Sequence, residues 1–330
     1  MDGLTVIIAH YAPGGNTEKY RSLLKKTIDS IRNQNVDFSV EIILCDDGST
    51  WSKEINRNEN ISELDKLSIQ NCESLNDLNI DKYLGLPDCD KYRGVVLKQR
   101  AFEIAKHDKI VVLDDDHPFI KKKSLKKFYD YLDDYEYVRG RIISPVGLPQ
   151  TFFTKNAQGT TYALRKSLFN EFGGFGKYLY ENGQGEDNDI LWRIFSKLKE
   201  KYGTEKRACY AGEIITKDLA TNRWADRAII ANLADLKIAK IVANKNNPKF
   251  VQRYERFYNE YGVDASNNSS RKKNIWMKIP SITSLFSEIK YSWIYLFVRT
   301  KLTIEKAHAN NQNIIIYTFK KFFTKNSLIE

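Results

Sequence analysis

Three short apolar runs in the first half of the chain have the pattern of buried strands. They cover residues 4–9 (LTVIIA), 40–44 (VEIIL) and 109–113 (KIVVL), and they are rich in β-branched side chains. Between the first two runs, apolar residues recur at helical spacing over residues 20–31. A strand, a helix and a second strand in this order predict a parallel sheet with a right-handed crossover.

Further periodic segments extend this α/β pattern to about residue 200. Helices are predicted at residues 95–105, 123–132, 168–174 and 187–202, and strands at 138–144 and 159–164. Irregular helix and loop are predicted for the polar stretch 52–92, and one or two helices for residues 222–261. Because residues 264–273 read as a polar linker, we expect an α/β domain over residues 1–262 and a helical tail over 263–330.

Two acidic clusters directly follow predicted strands. The first is Asp46-Asp47 and the second is Asp114-Asp115-Asp116. Ligands of open parallel sheets bind outside the carboxyl ends of the strands, so both clusters are expected to face one cleft. Helix capping is an equally good interpretation for the first cluster. Three consecutive carboxylates repel one another in a partly dry cleft, which favours a compensating Mg²⁺ or Mn²⁺ at the second.

A third acidic segment opens the predicted helix 187–202. Residues 183–189 read Gly-Gln-Gly-Glu-Asp-Asn-Asp, and their glycines permit a tight turn. A carboxylate at this position can serve as a general base toward a hydroxyl group. Helix capping is the alternative, and it is the better one if the segment is taken alone. Together with the two strand-end clusters, the segment favours catalysis.

The charge of the chain is concentrated in its C-terminal tail. Residues 271–330 hold 11 Lys/Arg against 3 Asp/Glu, which is most of the net charge of +10. Aromatic residues such as Trp276 and Trp293 are interleaved with these cations, a pattern typical of helices in a membrane interface. We therefore expect contact with an anionic membrane surface. The alternatives are a solubilising tail, or a tail that packs on the α/β domain or on a second subunit.

Other features of the sequence indicate the cellular compartment and exclude some classes of protein. The four cysteines form no CxxC pair, no apolar run reaches about 18 residues, and the first residues lack a signal-peptide pattern. We expect a cytoplasmic protein, peripheral on the inner face of the cell membrane. No Walker-type phosphate loop is present. Nucleic-acid binding is not expected, because strand-end acids repel phosphates and the basic charge is confined to the tail.

The order of these segments resembles the inverting glycosyltransferases of the GT-A fold, family 2. The carrying segments are LTVIIAHY, DSIRNQ, IILCDDGST and KIVVLDDDHPF. The segment GGFGKYLYENGQGEDNDILWRI is also similar to the acceptor segment of β-1,4-galactosyltransferases. The resemblance covers roughly residues 4–200. It implies a Rossmann-like, mostly parallel sheet flanked by helices, here with a helical C-terminal extension.

The resemblance also implies a binding site for a UDP-sugar. Ala9 and Tyr11 would line the uracil site, and Asp47, with Asp46, would accept a hydrogen bond from the uracil ring. The remaining residues implied on the donor side would face the base, phosphates, ribose or donor sugar, and they are Arg93, Lys98, Asp114, Asp115 and Gly174.

Metal and acceptor residues are implied in the same way. Asp116 would ligate Mn²⁺ or Mg²⁺, with Asp114 beside it. Asp187 would be the base, and Glu186 would hold acceptor hydroxyls. The resemblance thus implies a hexosyltransferase that moves sugar from a UDP-sugar to a hydroxyl of a glycan, or of a lipid-linked glycan, in bacterial surface polysaccharide synthesis.

This sequence departs from the family pattern at two points. The tryptophan that often precedes the Gly-Gly-Glu-Asp run is replaced by Gly183-Gln184, and the only histidine after Asp187 is His308, in the tail. His117 follows the aspartate triplet, where a local hydrogen bond is the simpler expectation. A nucleotidyltransferase, or another metal-dependent nucleotide-using α/β enzyme, remains the alternative, although it gives no reason for the Gly-Gln-Gly-Glu-Asp segment.

Overall fold

Seven strands form one mixed sheet in the computed structural model. The structure describes residues 2–12, 17–49, 77–86, 94–152, 159–176, 186–219 and 277–309. The strands are β1 Gly3–His10, β2 Ser39–Asp46, β3 Lys82–Gly85, β4 Lys109–Asp114, β5 Tyr137–Ile143, β6 Tyr162–Arg165 and β7 Ala208–Lys217. The helices are α1 Thr17–Arg32, α2 Gly94–Ile104, α3 Ser124–Asp134, α4 Lys166–Glu171, α5 Glu186–Tyr202 and α6 Ile282–Ala309.

The strand order is β3-β2-β1-β4-β6-β5-β7. Strands β3, β2, β1 and β4 are mutually parallel, β6 is antiparallel to both of its neighbours, and β5 and β7 are parallel. The register places His10 opposite Asp46 and Ala9 opposite Asp114. The strand-end acidic clusters therefore meet at one edge of the sheet, as the sequence predicts.

The core lies on both faces of the sheet. Alternation along β1 sends Leu4, Val6 and Ile8 to the face covered by α1 and α3, and Ile7 to the face covered by α2, α4 and α5. All four side chains are fully buried. The predicted α/β architecture is therefore confirmed: a mostly parallel sheet is flanked by helices and followed by a C-terminal helix.

Two strands have no predicted counterpart, and several element boundaries differ from the sequence predictions by one to three residues. Strand β3 lies inside the stretch predicted to be irregular, where it pairs with β2, and β7 has no counterpart among the predicted strands. Strand β6 begins at Tyr162, three residues later than predicted. Both added strands are held by pairing with distant partners, which local periodicity does not reveal.

The C-terminal helix packs on the sheet through strand β7. Before this helix, Lys278 forms a bridge with Cys209, one of two free cysteines among the described residues, both of which are buried. None of the described helices is long and apolar enough to cross a membrane. The predicted boundary between residues 262 and 263, and the helices expected at 222–261, lie outside the described residues. The division into two units stays a prediction.

Candidate active site

Asp46 supports the turn that follows strand β2. Its Oδ1 accepts hydrogen bonds from the backbone N–H and the hydroxyl of Ser49, at 2.9 and 2.5 Å, and its Oδ2 accepts one from the Tyr83 hydroxyl at 2.9 Å. The Ser49 hydroxyl oxygen also accepts a hydrogen bond from the backbone N–H of Ala12 at 2.8 Å, which joins the loops after β1 and β2. Asp46 is fully buried in this arrangement, and its predicted contact with a uracil ring stays a prediction.

Asp115 also faces the interior. Its side chain is fully buried and bonded to Nδ1 of the buried His10, and its backbone N–H donates to the carbonyl oxygen of Ala9 at 3.0 Å. The Thr27 hydroxyl donates to the Asp115 carbonyl oxygen at 2.7 Å. These contacts hold Asp115 against strand β1 and helix α1, and its predicted contact with ribose or sugar stays a prediction.

Asp114, Asp116 and His117 form a compact group of potential metal ligands. One ligand atom from each lies within 4.8 Å of the other two. His117 Nδ1 is 2.5 Å from Asp116 Oδ1, so the local hydrogen bond expected for His117 is present, and the ring also belongs to the cluster. Two carboxylates and an imidazole form a donor set that suits Mn²⁺, and their oxygens also suit Mg²⁺.

Burial and neighbouring charges shift the pKa values of two residues in this cluster. Burial raises the pKa of Asp114 to about 6; His117 and Lys98 lower it, and Asp116 and Asp115 raise it further. Burial alone would lower the pKa of His117, but its hydrogen bond to Asp116 and the charges of Asp116, Asp114 and Asp218 raise it to about 9. A divalent cation would relieve the same repulsion more fully than a proton does.

Two consecutive threonines, Thr160 and Thr161, lie beside the cluster. The backbone N–H of Asp114 donates to the Thr160 hydroxyl at 2.7 Å. The next residue, Thr161, is fully buried and has φ of 57°, which is rare for a β-branched residue. Its hydroxyl bonds to that of Thr216 at 2.7 Å, and its carbonyl oxygen accepts from the Gly140 N–H at 2.8 Å. These contacts hold the strained backbone in place beside the carboxylates.

Helix α5 brings Glu186 to helix α2. Glu186 forms an ion pair with the buried Lys98 through Nζ and Oε1. Lys98 also lowers the pKa of Asp114, so one cation acts on carboxylates from both β4 and α5. Sequence reasoning placed Lys98 near the base or phosphates and Glu186 at the acceptor, and the structure pairs the two directly.

Asp187 follows Glu186 in the first turn of α5 and is partly exposed. An added Cβ on Gly159 would lie 3.9 Å from the Asp187 Cβ and 3.5 Å from Glu186 Oε1, so the chain just before β6 runs close to both acids. The charge of Asp187 also acts on the fully buried Arg139: burial lowers the pKa of that guanidinium, and Tyr137, Tyr210 and Asp187 oppose the shift. The charge of Asp187 thus acts on Arg139, a buried residue of strand β5.

Asp189, two residues further on, holds a neighbouring turn in place. Its Oδ2 accepts hydrogen bonds from the Gly176 N–H at 3.0 Å and from Arg193 Nε at 2.8 Å. This contact fixes the glycine turn after α4 to helix α5. Gly174, in the same turn, has φ of 76°, and a Cβ there would stand 2.3 Å from Gln99 Oε1. Gly174 therefore packs closely against Gln99 of helix α2.

The remaining predicted residues lie at the β1 and β2 ends or outside the described part. Ala9 and Tyr11 are partly exposed at the carboxyl end of β1, and the backbone N–H of the buried Asp47 donates to the His10 carbonyl oxygen at 3.0 Å. Arg93 lies outside the described residues. The roles predicted for Ala9, Tyr11, Asp47, Arg93 and Gly174 stay predictions.

Sequence reasoning missed three residues that build the site: His10, Thr160 and Asp218. Asp218 follows β7, in the same way that the acidic clusters follow β2 and β4, and its charge helps to raise the pKa of His117. An acid after an apolar stretch is a signal that sequence reading can detect, once β7 is recognised as a strand. Nothing in the local sequence indicates the His10 and Thr160 contacts, since both partners come from another strand or loop.

Fold and site together define an α/β protein with a carboxylate-rich centre, suited to a divalent cation, at the carboxyl edge of its parallel strands. No family model matches the chain, and no curated protein matches it.

The chain is similar to several solved structures at low identity. One is the S. aureus TarS 1-349 fragment in complex with UDP-GlcNAc, at 16% identity and a TM-score of 0.45, covering 96% of this chain and 89% of that chain. Another is the mannosyltransferase PcManGT from Pyrobaculum calidifontis in complex with GDP-Man and Mn²⁺, at 13% identity and 0.43, covering 98% and 88%. A longer S. aureus TarS chain is matched at 16% identity and a TM-score of 0.44, covering 81% of this chain. The match spans only 45% of that longer chain. Similarities this distant assign no substrate and no residue role to this chain.

Proposed function

We propose that the chain is an inverting, metal-dependent glycosyltransferase that moves a sugar from a UDP-sugar to a hydroxyl group of a glycan acceptor in bacterial surface polysaccharide synthesis. The observation that carries the proposal is the cluster of Asp114, Asp116 and His117, with ligand atoms within 4.8 Å of one another, joined electrostatically through Lys98 to the acid that opens helix α5. A metal that stabilises the departing diphosphate and a carboxylate that activates the acceptor hydroxyl are together sufficient for transfer from a nucleotide sugar.

The metal-binding half fits a divalent ion. Asp114 and Asp116 would supply oxygens and His117 a nitrogen, a set that favours Mn²⁺ and also accommodates Mg²⁺. Burial raises the pKa of Asp114 to about 6 and the charges of Asp116 and Asp115 add to the rise, so a bound cation would favour the ionised carboxylate. A bound divalent ion would supply the positive charge that stabilises a departing nucleoside diphosphate.

The acid-bearing half supplies the base. Asp187 would remove the proton from the acceptor hydroxyl as that oxygen attacks the anomeric carbon, and attack from the face opposite the departing diphosphate inverts that centre. Glu186, held by Lys98, would orient the acceptor hydroxyls. Because Lys98 is buried and paired with Glu186, the ion pair restricts the directions in which the Glu186 side chain can point.

The first experiment is a panel of nucleotide sugars tested by thermal shift, with Mn²⁺ and with a chelator. A ligand that binds only the folded state raises the melting temperature by mass action. We expect one UDP-sugar to stabilise the protein in Mn²⁺, and the chelator to remove the effect. The idea is abandoned if no nucleotide sugar shifts the melting temperature in either condition.

Product analysis separates this function from a nucleotidyltransferase, which the same acid-rich strand ends would also suit. With the stabilising donor and a glycan or lipid-linked glycan acceptor, release of UDP supports glycosyl transfer. Release of pyrophosphate from a nucleoside triphosphate would support the alternative. The anomeric configuration of the product, read by NMR, tests inversion separately.

A further inference from the structure

Helix α6 has one face on the sheet and the opposite face exposed. Its inner face includes the buried Ser284 and Glu288 and packs on β7. The Tyr291 ring on the same side lies 4.4 Å from the guanidinium carbon of Arg141. The helix therefore has a fixed inward side.

Buried polar contacts fix the rotation of this helix about its axis. Glu288 Oε2 accepts a hydrogen bond from Arg141 Nη2 at 2.7 Å, and its Oε1 accepts one from the Phe152 backbone N–H at 2.6 Å. The Ser287 hydroxyl donates to the Gly212 carbonyl oxygen at 2.8 Å. Because a buried pair is costly to break, the helix cannot roll to hide its outer side.

The outer side of α6 is a continuous apolar stripe. Its side chains recur at spacings of three and four residues, so they lie on one line along the helix. Trp293 and Phe297 are 71% and 74% exposed. The seven exposed residues of the stripe are Ile282, Leu285, Phe286, Ile289, Trp293, Leu296 and Phe297. Contiguous apolar surface of this kind on a soluble protein marks an interaction site.

Cations border this stripe. At 3.6 residues per turn, Lys290 and Lys301 stand about 90° from the middle of the stripe on one side, and Arg299 stands about as far on the other. The only acid of α6 whose side chain the structure describes is Glu288, and it points inward to Arg141. The stripe therefore has aromatic and aliphatic groups in the middle and positive charge along both borders.

We propose that this seven-residue stripe docks on an anionic phospholipid membrane, with α6 lying parallel to the surface. Apolar side chains would enter the boundary of the acyl region, Trp293 would sit at headgroup level, and the bordering cations would meet lipid phosphates. A symmetric pair of copies fits less well, because it would bring the same cations of two helices together. The docking is independent of the enzyme activity proposed above.

The test is co-sedimentation of the full chain with vesicles. We expect binding to phosphatidylcholine–phosphatidylglycerol vesicles, weakened by high salt, and little binding to phosphatidylcholine alone. The double variant Trp293→Ser/Phe297→Ser should lower partitioning at least about tenfold. Lys290→Glu should lower it on the order of tenfold in low salt. Matched controls, Val146→Ser for an exposed apolar residue and Lys123→Glu for an exposed lysine, should leave it unchanged.

Two results would overturn the proposal. One is equal sedimentation of the wild type and the double variant. The other is a wild-type dimer, seen by light scattering, that the double variant converts to a monomer while vesicle binding persists. Trp293→Phe should still bind vesicles, because it keeps the apolar surface. Nucleotide-sugar thermal shifts should be unchanged in every stripe variant, so failure of the docking and failure of the proposed function are read separately.

Discussion

Lys98 and Glu186 form a buried ion pair that ties helix α2 to the first residue of helix α5. Their side chains are 2% and 12% exposed. The same ammonium group lowers the pKa of Asp114 at the end of β4. One cation thus pairs with an acid of α5 and also acts on a carboxylate of the candidate metal cluster.

Breaking this pair should destabilise the fold. Lys98→Met leaves the Glu186 carboxylate buried without its cation, and the loss of one partner of a buried pair costs about 3–5 kcal/mol of unfolding free energy. Urea denaturation measures the change. Lys197→Met, on the exposed side of α5, is the control and should cost less than about 1 kcal/mol. Adding Glu186→Leu to Lys98→Met should recover part of the loss; equal stability of wild type and Lys98→Met would contradict the role.

Removing the proposed base should affect the chemical step and not donor binding. Asp187→Asn is expected to lower kcat by about 10²–10⁴-fold, because an amide cannot take a proton from the acceptor hydroxyl. The nucleotide-sugar thermal shift should stay within error of the wild type. Glu200→Gln, an exposed acid on the same helix, should keep full turnover. Near-normal turnover of Asp187→Asn would remove this residue from the role.

Metal affinity should depend on the three clustered residues. Titration calorimetry with Mn²⁺ should show one site in the wild type, with affinity at least about tenfold lower in Asp116→Asn, which loses the carboxylate charge, and in His117→Gln, which loses the imidazole nitrogen. Asp130→Asn, an exposed acid on α3, serves as the control. Unchanged Mn²⁺ affinity in His117→Gln alone would reduce the ligand set to the two aspartates.

The strands with the clearest pattern in the sequence are those that are apolar on both faces. Strands β1, β2 and β4 are central and parallel, so they appear as continuous apolar runs. The apolar pattern of strand β7 is interrupted by Gly212 and Glu213. The buried Glu213 carboxylate is stabilised by hydrogen bonds from Tyr131, Ser281 and Lys127, which lie outside β7. Such long-range compensation has no local signature in the sequence.

At the site, the sequence predicts where the acidic residues lie, but it predicts only partly the directions in which their side chains point. The sequence predicts a parallel sheet with both acidic clusters at its carboxyl edge, and the pairing of β1 with β4 then brings Ala9 opposite Asp114. The period of two along a strand also separates Asp115 from its neighbours, and this could have been anticipated. That Asp115 bonds to His10, and that Asp46 bonds to Ser49 and Tyr83, depends on tertiary contacts.

Acid stability should depend on Glu41. Burial raises the pKa of this carboxyl, but hydrogen bonds from Lys82, the Lys106 backbone and Thr5 outweigh it and bring the pKa below its usual 4.5. A depressed folded-state pKa contributes stability above about pH 4.5, which is lost as the pH falls through the folded-state value.

Glu41→Gln is therefore expected to flatten the dependence of unfolding free energy on pH below 4.5, and to lower stability at pH 7. Urea midpoints measured from pH 3 to pH 7 give both quantities. Glu200→Gln, at an exposed site, should keep the wild-type slope. A Glu41→Gln variant with the full wild-type slope would show that other carboxyl groups carry the effect.

Two adjacent glycines allow backbone strain and steric clash to be measured apart. Gly173 and Gly174 have φ of 79° and 76°, so an alanine at either position costs about 1–2 kcal/mol from the left-handed backbone alone. An added Cβ on Gly173 meets nothing within 4 Å, whereas one on Gly174 meets Gln99 Oε1 at 2.3 Å. Gly174→Ala should therefore lose more unfolding free energy than Gly173→Ala, and adding Gln99→Ala should remove the difference. If the two single variants are equally stable, the turn is not pressed against helix α2.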